Sequence, residues 1–316
     1  MNYRVLGRTG LKISEVSIGG WLTYGSTVEQ TAARDVVRRA LDLGINHVDT
    51  ADVYAQGACE TALGQVLDGV RRSSYVLASK VYWPTGPGPN DKGLSRKHVH
   101  ETIDASLKRL KTDYLDIFYC HRPDPDVPLE ETVVAMEDLV ARGKTLYWGV
   151  SCWTAEQITK ACRLATRSKP VVDQPPYNVF DRHIEKAVLG ACDAEGLGVV
   201  VWSPLAQGVL TGKYLKGKPK ESRAANDKIN KFMQKYFEPP MTAVVEKLVA
   251  IAKEAGLTPG QVALGWCLRR GEVTSVIVGA TSIAQIEENA KATSLPKEVL
   301  AAVEKAVKDA PVVEAT

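Results

Sequence analysis

Apolar residues along this chain fall into short continuous runs that alternate with longer stretches in which they recur every three or four positions. The runs cover 16–18, 45–48, 75–79, 115–120, 146–150, 171–173, 198–202 and 275–278, and most are rich in Val and Ile. Apolar residues on successive positions are what strands buried on both faces require. The periodic stretches span 29–43, 59–67, 95–110, 129–143, 154–166, 184–195, 241–255, 259–269, 282–293 and 296–308. Within 95–110, Val99, Ile103, Leu107 and Leu110 share one helical face behind Ser95 as N-cap. Segments 3–6 and 11–14, separated by Gly7-Arg8-Thr9-Gly10, read as a β-hairpin. Eight strand–helix units with no break in composition predict an α/β fold, a (β/α)8 TIM barrel. The N-terminal hairpin and extra C-terminal helices complete one domain over residues 1–316.

Reactive groups in such barrels gather where the strands end. The endings here are Gly19-Gly20, Asp49, Lys80, His121, Ser151, Gln174, Trp202-Ser203 and Gly279. Asp49 is the first acid past its strand, and a buried carboxylate needs a partner. Lys80 and His121 stand at the next two strand ends, and Tyr54 opens the helical stretch after Asp49. A phenol near its ordinary pKa of about 10 is a poor acid–base group at neutral pH. An ammonium beside Tyr54 is expected to pull that value down, with Asp49 holding Lys80 charged and fixing its direction. A neutral His121 could hydrogen-bond a carbonyl oxygen and orient it toward Tyr54. Singly, each has a structural explanation: an inert ion pair, a core histidine, a capping glutamine at Gln285 in its S-x-x-Q spacing. Together, at successive strand ends, they point to chemistry.

Composition narrows the setting. Hydrophobic residues make up 45% and charged residues 24%, as in globular proteins. The net charge of +3 argues neither for nor against nucleic acid. The loosest basic cluster, Lys216, Lys218, Lys220, Arg223 and Lys228, is broken by Gly and Pro, so no nucleic-acid partner is expected. No run of about eighteen apolar residues suggests a membrane span, and the N-terminus lacks a signal-peptide pattern. The six cysteines form no CxxC pair, which fits reduced thiols in a cytoplasmic protein, and no metal-site spacing emerges.

Five segments in order, 44–54, 119–121, 149–151, 202–208 and 279–289, resemble an aldo-keto reductase over nearly the whole chain. The loop 90–97 and Trp202-Ser203-Pro204-Leu205-Ala206 resemble the potassium-channel β-subunit branch and its bacterial relatives. The resemblance implies reduction of aldehydes, and of ketones as a second class, with Tyr54 as general acid–base beside Asp49, Lys80 and His121. It also implies a nicotinamide cofactor held without a Rossmann fold, and no GxGxxG follows any predicted strand. Gly20 and Trp21 would adjoin that cofactor. Ser151 and Gln174 would bond its carboxamide, and Trp202 would stack on its ring. Ser203, Leu205, Gly208 and Lys213 would line the pyrophosphate, with Arg223 at the adenosine end. Gly279, Thr281, Gln285, Glu288 and Asn289 would hold the adenosine and its ribose phosphate. Many NADPH-preferring members carry Arg at the place of Gln285 and Lys at that of Gly279; the channel branch does not and still implies NADPH. NADPH is therefore expected, with NADH as the alternative.

Trp21, Tyr24, Trp83, Arg122 and Trp153 follow strand ends and are expected at the substrate mouth, suited to a hydrophobic or aromatic aldehyde. Two other functions compete. One is a redox-sensing subunit that retains cofactor with little turnover, against which His121 counts, since the channel subunits depart from His there. The other is a lyase using Lys80 as a Schiff-base amine. Tetramers and larger rings within the branch make a homo-oligomer one expected partner state.

Overall fold

The computed structural model describes residues 1–21, 24–25, 29–217, 219, 222–225, 230 and 233–313, with only the backbone of Arg223. The chain opens with β1 (Tyr3–Val5) and β2 (Lys12–Ser14), an antiparallel pair in which Arg4 faces Ile13. Then come β3 (Val16–Gly19), α1 (Gln30–Asp42), β4 (His47–Asp49), α2 (Ala58–Val66), β5 (Val76–Val81) and α3 (Arg96–Leu110). They are followed by β6 (Leu115–Cys120), α4 (Leu129–Ala141), β7 (Thr145–Val150), α5 (Ala155–Leu164), β8 (Val172–Asp173) and α6 (Val188–Glu195). After β9 (Gly198–Val201) come α7 (Pro239–Glu254), α8 (Pro259–Cys267), β10 (Val273–Val278), α9 (Ile283–Asn289) and α10 (Lys297–Val307). The barrel strands close in the order β10-β3-β4-β5-β6-β7-β8-β9, every neighbouring pair parallel.

The continuous apolar runs are these strands because both their faces are covered. β5, β6 and β10 are buried at every position. One face packs against the helices through Val48, Leu77, Phe118 and Trp148, within the larger core cluster. The other fills the barrel with Ala78, Ile117, Tyr119, Val172 and Val200, together with Leu6 and Ile13 from the hairpin. The hairpin therefore plugs the N-terminal end: Gly7, at φ +53°, lies so close to the α6–β9 junction that a Cβ would stand 2.6 Å from the nitrogen of Gly198.

Boundaries shifted where local sequence is ambiguous. Asp49 is the last residue of its strand, and Lys80 lies inside β5, which continues to Val81. α9 ends at Asn289, four residues before the predicted stop. Residues 183–185 form a 3-10 turn that replaces the predicted start of α6. Trp202, read as the end of β9, pairs only as a bridge to Pro176.

Register explains a glycine near the rim. Tyr119 is paired with Lys80 on one side and with Gly149 on the other. A Cβ on Gly149 would stand 2.5 Å from Cγ1 of Val172 and 2.8 Å from Cε1 of Tyr119. Its absence makes room for the ring that fills the barrel beneath Lys80. Gly149→Ala should cost about 1–3 kcal/mol through overpacking, read as a lowered urea midpoint at unchanged m-value. An unshifted midpoint would show that the ring has space to move.

Candidate active site

A cavity of about 1390 Å³ opens at the C-terminal end of the barrel. Asp49 lines this cavity and is held by an ion pair to Lys80 behind the wall. Nζ of Lys80 donates to Oδ2 of Asp49 at 2.6 Å and to the carbonyl of Thr50 at 2.7 Å. Asp49 accepts a second bond on Oδ1 from Nε2 of Gln174, at 2.8 Å. Both charged groups are buried, Lys80 completely, so their mutual bonds replace the hydration each has lost. Burial lowers the Lys80 ammonium from its ordinary pKa, and the Asp49 carboxylate opposes that shift.

Tyr54 stands above the pair, its ring centroid 5.0 Å from Nζ of Lys80. The chain reverses directly after it: Ala55 and Gln56 are left-handed, at φ +49° and +54°, before Gly57 at +85°. α2 is then anchored by the fully buried Glu60, which accepts from Oγ of Ser79 at 2.5 Å and Nε of Arg109 at 2.6 Å. That clamp ties α2, which directly follows the 3-10 turn carrying Tyr54, to the strand carrying Lys80. Burial pushes the Tyr54 phenol well above its ordinary range, and the Asp49 carboxylate adds to the effect. This corrects the expected downward pull of the ammonium: desolvation is the largest influence, the Asp49 carboxylate acts in the same direction, and burial decides.

His121 faces Tyr54 edge to face, ring centroids 5.8 Å apart. Burial, then the charges of Lys80 and Arg122, depress its pKa far below the ordinary imidazole value, so it is neutral at pH 7. Its Nδ1 is buried without a hydrogen-bond partner among the described residues. A neutral imidazole and a protonated phenol on one cavity can together hydrogen-bond a carbonyl oxygen.

The remaining expected residues fall on the same wall with one exception. Gly20, Trp21, Ser151, Gln174, Trp202, Ser203, Leu205, Gly208, Lys213, Gly279, Thr281, Gln285, Glu288 and Asn289 all line the cavity. The side chain of Arg223 lies outside the described residues, as do Lys218, Lys220 and Lys228. Ser151 donates to the Gln174 carbonyl at 2.6 Å. Gln285 accepts from the backbone nitrogen of Thr281 at 2.9 Å while Oγ of Ser282 caps its own nitrogen. Gln285 thus closes the start of α9 and lines the cavity as well.

Trp21, Tyr24, Trp83 and Arg122 line the cavity as expected of a mouth. Trp153 does not: it is 3% exposed and packs in the layer between helices and barrel. Sequence reasoning missed Asp181, Gln207, Tyr236 and Thr258 on the wall. Gln207 sat within a matched segment and donates to Oγ of Ser203 at 2.5 Å. Tyr236 comes from a 3-10 turn in the long loop after β9, where no periodicity marks it.

Strain concentrates on this rim. The described non-glycine residues with positive φ are Ala55, Gln56, Lys111, Cys152, Ser203, Ala206 and Gln207, and all but Lys111 adjoin the site residues. Left-handed conformations of such residues cost about 1–3 kcal/mol each and persist where surrounding structure enforces them.

A barrel of this form, with these groups at its strand ends, is the architecture of the aldo/keto reductases. The model of the aldo/keto reductase family matches residues 15–308, and the chain belongs to that family. It is 45% identical over 302 residues to an Arabidopsis thaliana protein described as "Probable voltage-gated potassium channel subunit beta", covering 93% of this chain and 92% of that one. An Oryza sativa protein with the same description is 44% identical over 322 residues, covering 98% of each.

Lys80→Met would leave the Asp49 carboxylate buried beside a single amide. The variant should lose about 3–5 kcal/mol of stability, measured by equilibrium denaturation, and Lys80→Met with Asp49→Asn should recover part of it. A single variant as stable as the parent would contradict the pairing.

Proposed function

We propose that this chain is an NADPH-dependent reductase of aldehydes, and secondarily of ketones, with Tyr54 as general acid. The observation that carries the reading is the Lys80–Asp49 pair seated beneath Tyr54, with His121 facing the phenol across one cavity. His121, neutral by burial, would hold the carbonyl oxygen and turn it toward Tyr54. The phenol, kept protonated by its surroundings, would donate its proton to that oxygen as the carbon becomes tetrahedral. The phenolate left behind would lie beside the Lys80 ammonium, which stabilises it most when the charge appears. Tyr54 is only partly buried by its neighbours and would regain a proton from water at the mouth.

The residues present fit a nicotinamide dinucleotide. The cavity runs from the reacting groups to α9, and Gly208, at φ +93°, forms a cradle where a Cβ would meet Nζ of Lys213 at 3.2 Å. Ser151 and Gln174 would hold the carboxamide, Trp202 would pack on the ring, and Lys213 would face the phosphates. Gln285, Glu288 and Asn289 would take the adenosine end. Bound NADPH would supply the hydride to the carbonyl carbon.

The Schiff-base alternative finds no support, since Lys80 is wholly buried and its amine is already held by two oxygens. A second reading is favoured by the description of the relatives: a cofactor-holding subunit of a larger assembly with little turnover. Consumption of NADPH, then of NADH, with aromatic and short aliphatic aldehydes separates the two. Turnover that falls by about 100-fold or more in Tyr54→Phe is expected, with cofactor affinity retained. Tight cofactor binding without turnover on any carbonyl would favour the subunit reading, and binding of neither cofactor would contradict both.

The pH profile is a separate check. The phenol must be protonated to donate and its pKa lies above the ordinary value; the imidazole must be neutral and its pKa lies below. Raising the pH to about 10 should not deprotonate Tyr54, nor lowering it to about 6.5 charge His121. Reductive kcat/KM should therefore stay flat from about pH 6.5 through neutrality, any loss toward about pH 10 being set by Lys80, whose ammonium pKa burial lowers from its ordinary value. A loss beginning near neutrality would contradict the assignment.

A further inference from the structure

Arg122 directly follows His121 at the end of β6 and lines the cavity with Tyr54. Its guanidinium carbon stands 5.7 Å from the centroid of the Trp83 ring and 6.0 Å from that of Trp202. Nη1 donates to the carbonyl of His121 at 2.7 Å. Two indoles and a carbonyl fix the group in place without neutralising it. Most other partly or largely buried arginines are paired differently: Arg4, Arg72, Arg109, Arg182 and Arg269 each contact a carboxylate, whereas Arg38, far from the cavity, is held by the carbonyls of Val66 and Asp68. Among the described residues Arg122 forms no ion pair. A guanidinium has five N–H donors, so most of its capacity faces the cavity or solvent. Its charge also reaches both reacting groups, opposing the upward shift of Tyr54 and adding to the downward shift of His121.

We propose that Arg122 selects carbonyl substrates that carry a carboxylate, gripping that group while His121 and Tyr54 engage the aldehyde. The proposal rests on the reductase reading above and names its substrate class. Cofactor phosphate is the less suitable anion. The cation beside the glycine cradle is Lys213, whereas Arg122 stands with the reacting groups between Trp83 and Trp202. With Trp202 given to the nicotinamide, the Trp83 indole is left to suit a flat ring, so an aromatic aldehyde with a carboxylate remote from the carbonyl combines both preferences.

The test compares 4-formylbenzoate with its methyl ester in the parent, Arg122→Met and Arg122→Lys. The ester is the intrinsically more electrophilic aldehyde, so a preference for the anion is not electronic. The parent should favour the anion in kcat/KM by about 10- to 100-fold, the range of a charge-assisted hydrogen bond. Arg122→Met should erase that ratio, chiefly through KM, and Arg122→Lys should retain part of it. The ratio cancels damage common to both substrates. Terephthalate affinity, read by quenching of tryptophan fluorescence, needs no turnover and should weaken by about 10-fold or more in Arg122→Met. An unchanged ratio, or terephthalate binding indifferent to Arg122, would overturn the proposal. So would a weakened NADPH affinity with the ratio intact. Arg122-dependent terephthalate binding in a protein that reduces neither aldehyde would support the anion site while failing the reductase reading.

Discussion

The buried pair between Lys80 and Asp49 is the interaction on which the rest of the rim depends. Neither charge could be held there alone, because the penalty for dehydrating one ion is several kcal/mol. Their bond is completed by the Thr50 carbonyl and the Gln174 amide, so β4, β5 and the segment after β8 are bound through one polar node. A node of this kind fixes positions to a fraction of an ångström, since each partner has a single set of acceptors or donors to satisfy. It also sets the electrostatics above it. Tyr54 is kept protonated by burial, with the Lys80 ammonium 5.0 Å from its ring centroid, the position the proposed mechanism requires for stabilising a phenolate.

Around that node the fold divides its labour. The lower barrel is filled by apolar side chains and plugged by the hairpin, with Gly149 giving way to Tyr119. The upper rim carries the left-handed residues, the polar side chains and the large cavity. Strain that would be costly in a marginal structure is tolerated here because the strands below are buried on both faces. The Glu60 clamp extends this rigidity to α2 and hence to Tyr54.

Much of this was legible in the sequence, for identifiable reasons. Parallel strands covered on both faces leave an uninterrupted apolar signature, so all eight barrel strands were found, and their ends picked out Asp49, Lys80 and His121. The register that seats those residues together follows from consecutive parallel pairing. The direction of the Tyr54 shift was not legible, because it depends on whether burial or charge wins, and burial is a property of the assembled cavity. Trp153 was misplaced for a related reason: a tryptophan after a strand end can turn to the mouth or fold back under the next helix, and it folds back. The bond from Gln174 to Asp49 links residues 125 positions apart, and no local pattern announces it. The wall supplied by Tyr236 comes from a loop without periodicity, where sequence offers nothing to read.

The most direct test of the central claim is isotopic: one equivalent of NADPH deuterated at the transferable C4 position is incubated with the protein and an aromatic aldehyde. Mass spectrometry of the alcohol then reads where the label went. The account predicts one deuterium on the carbinol carbon within a single turnover, with transfer lost in Tyr54→Phe although the cofactor remains bound. Alcohol without label, or bound cofactor that transfers none to any aldehyde in the parent protein, would contradict it.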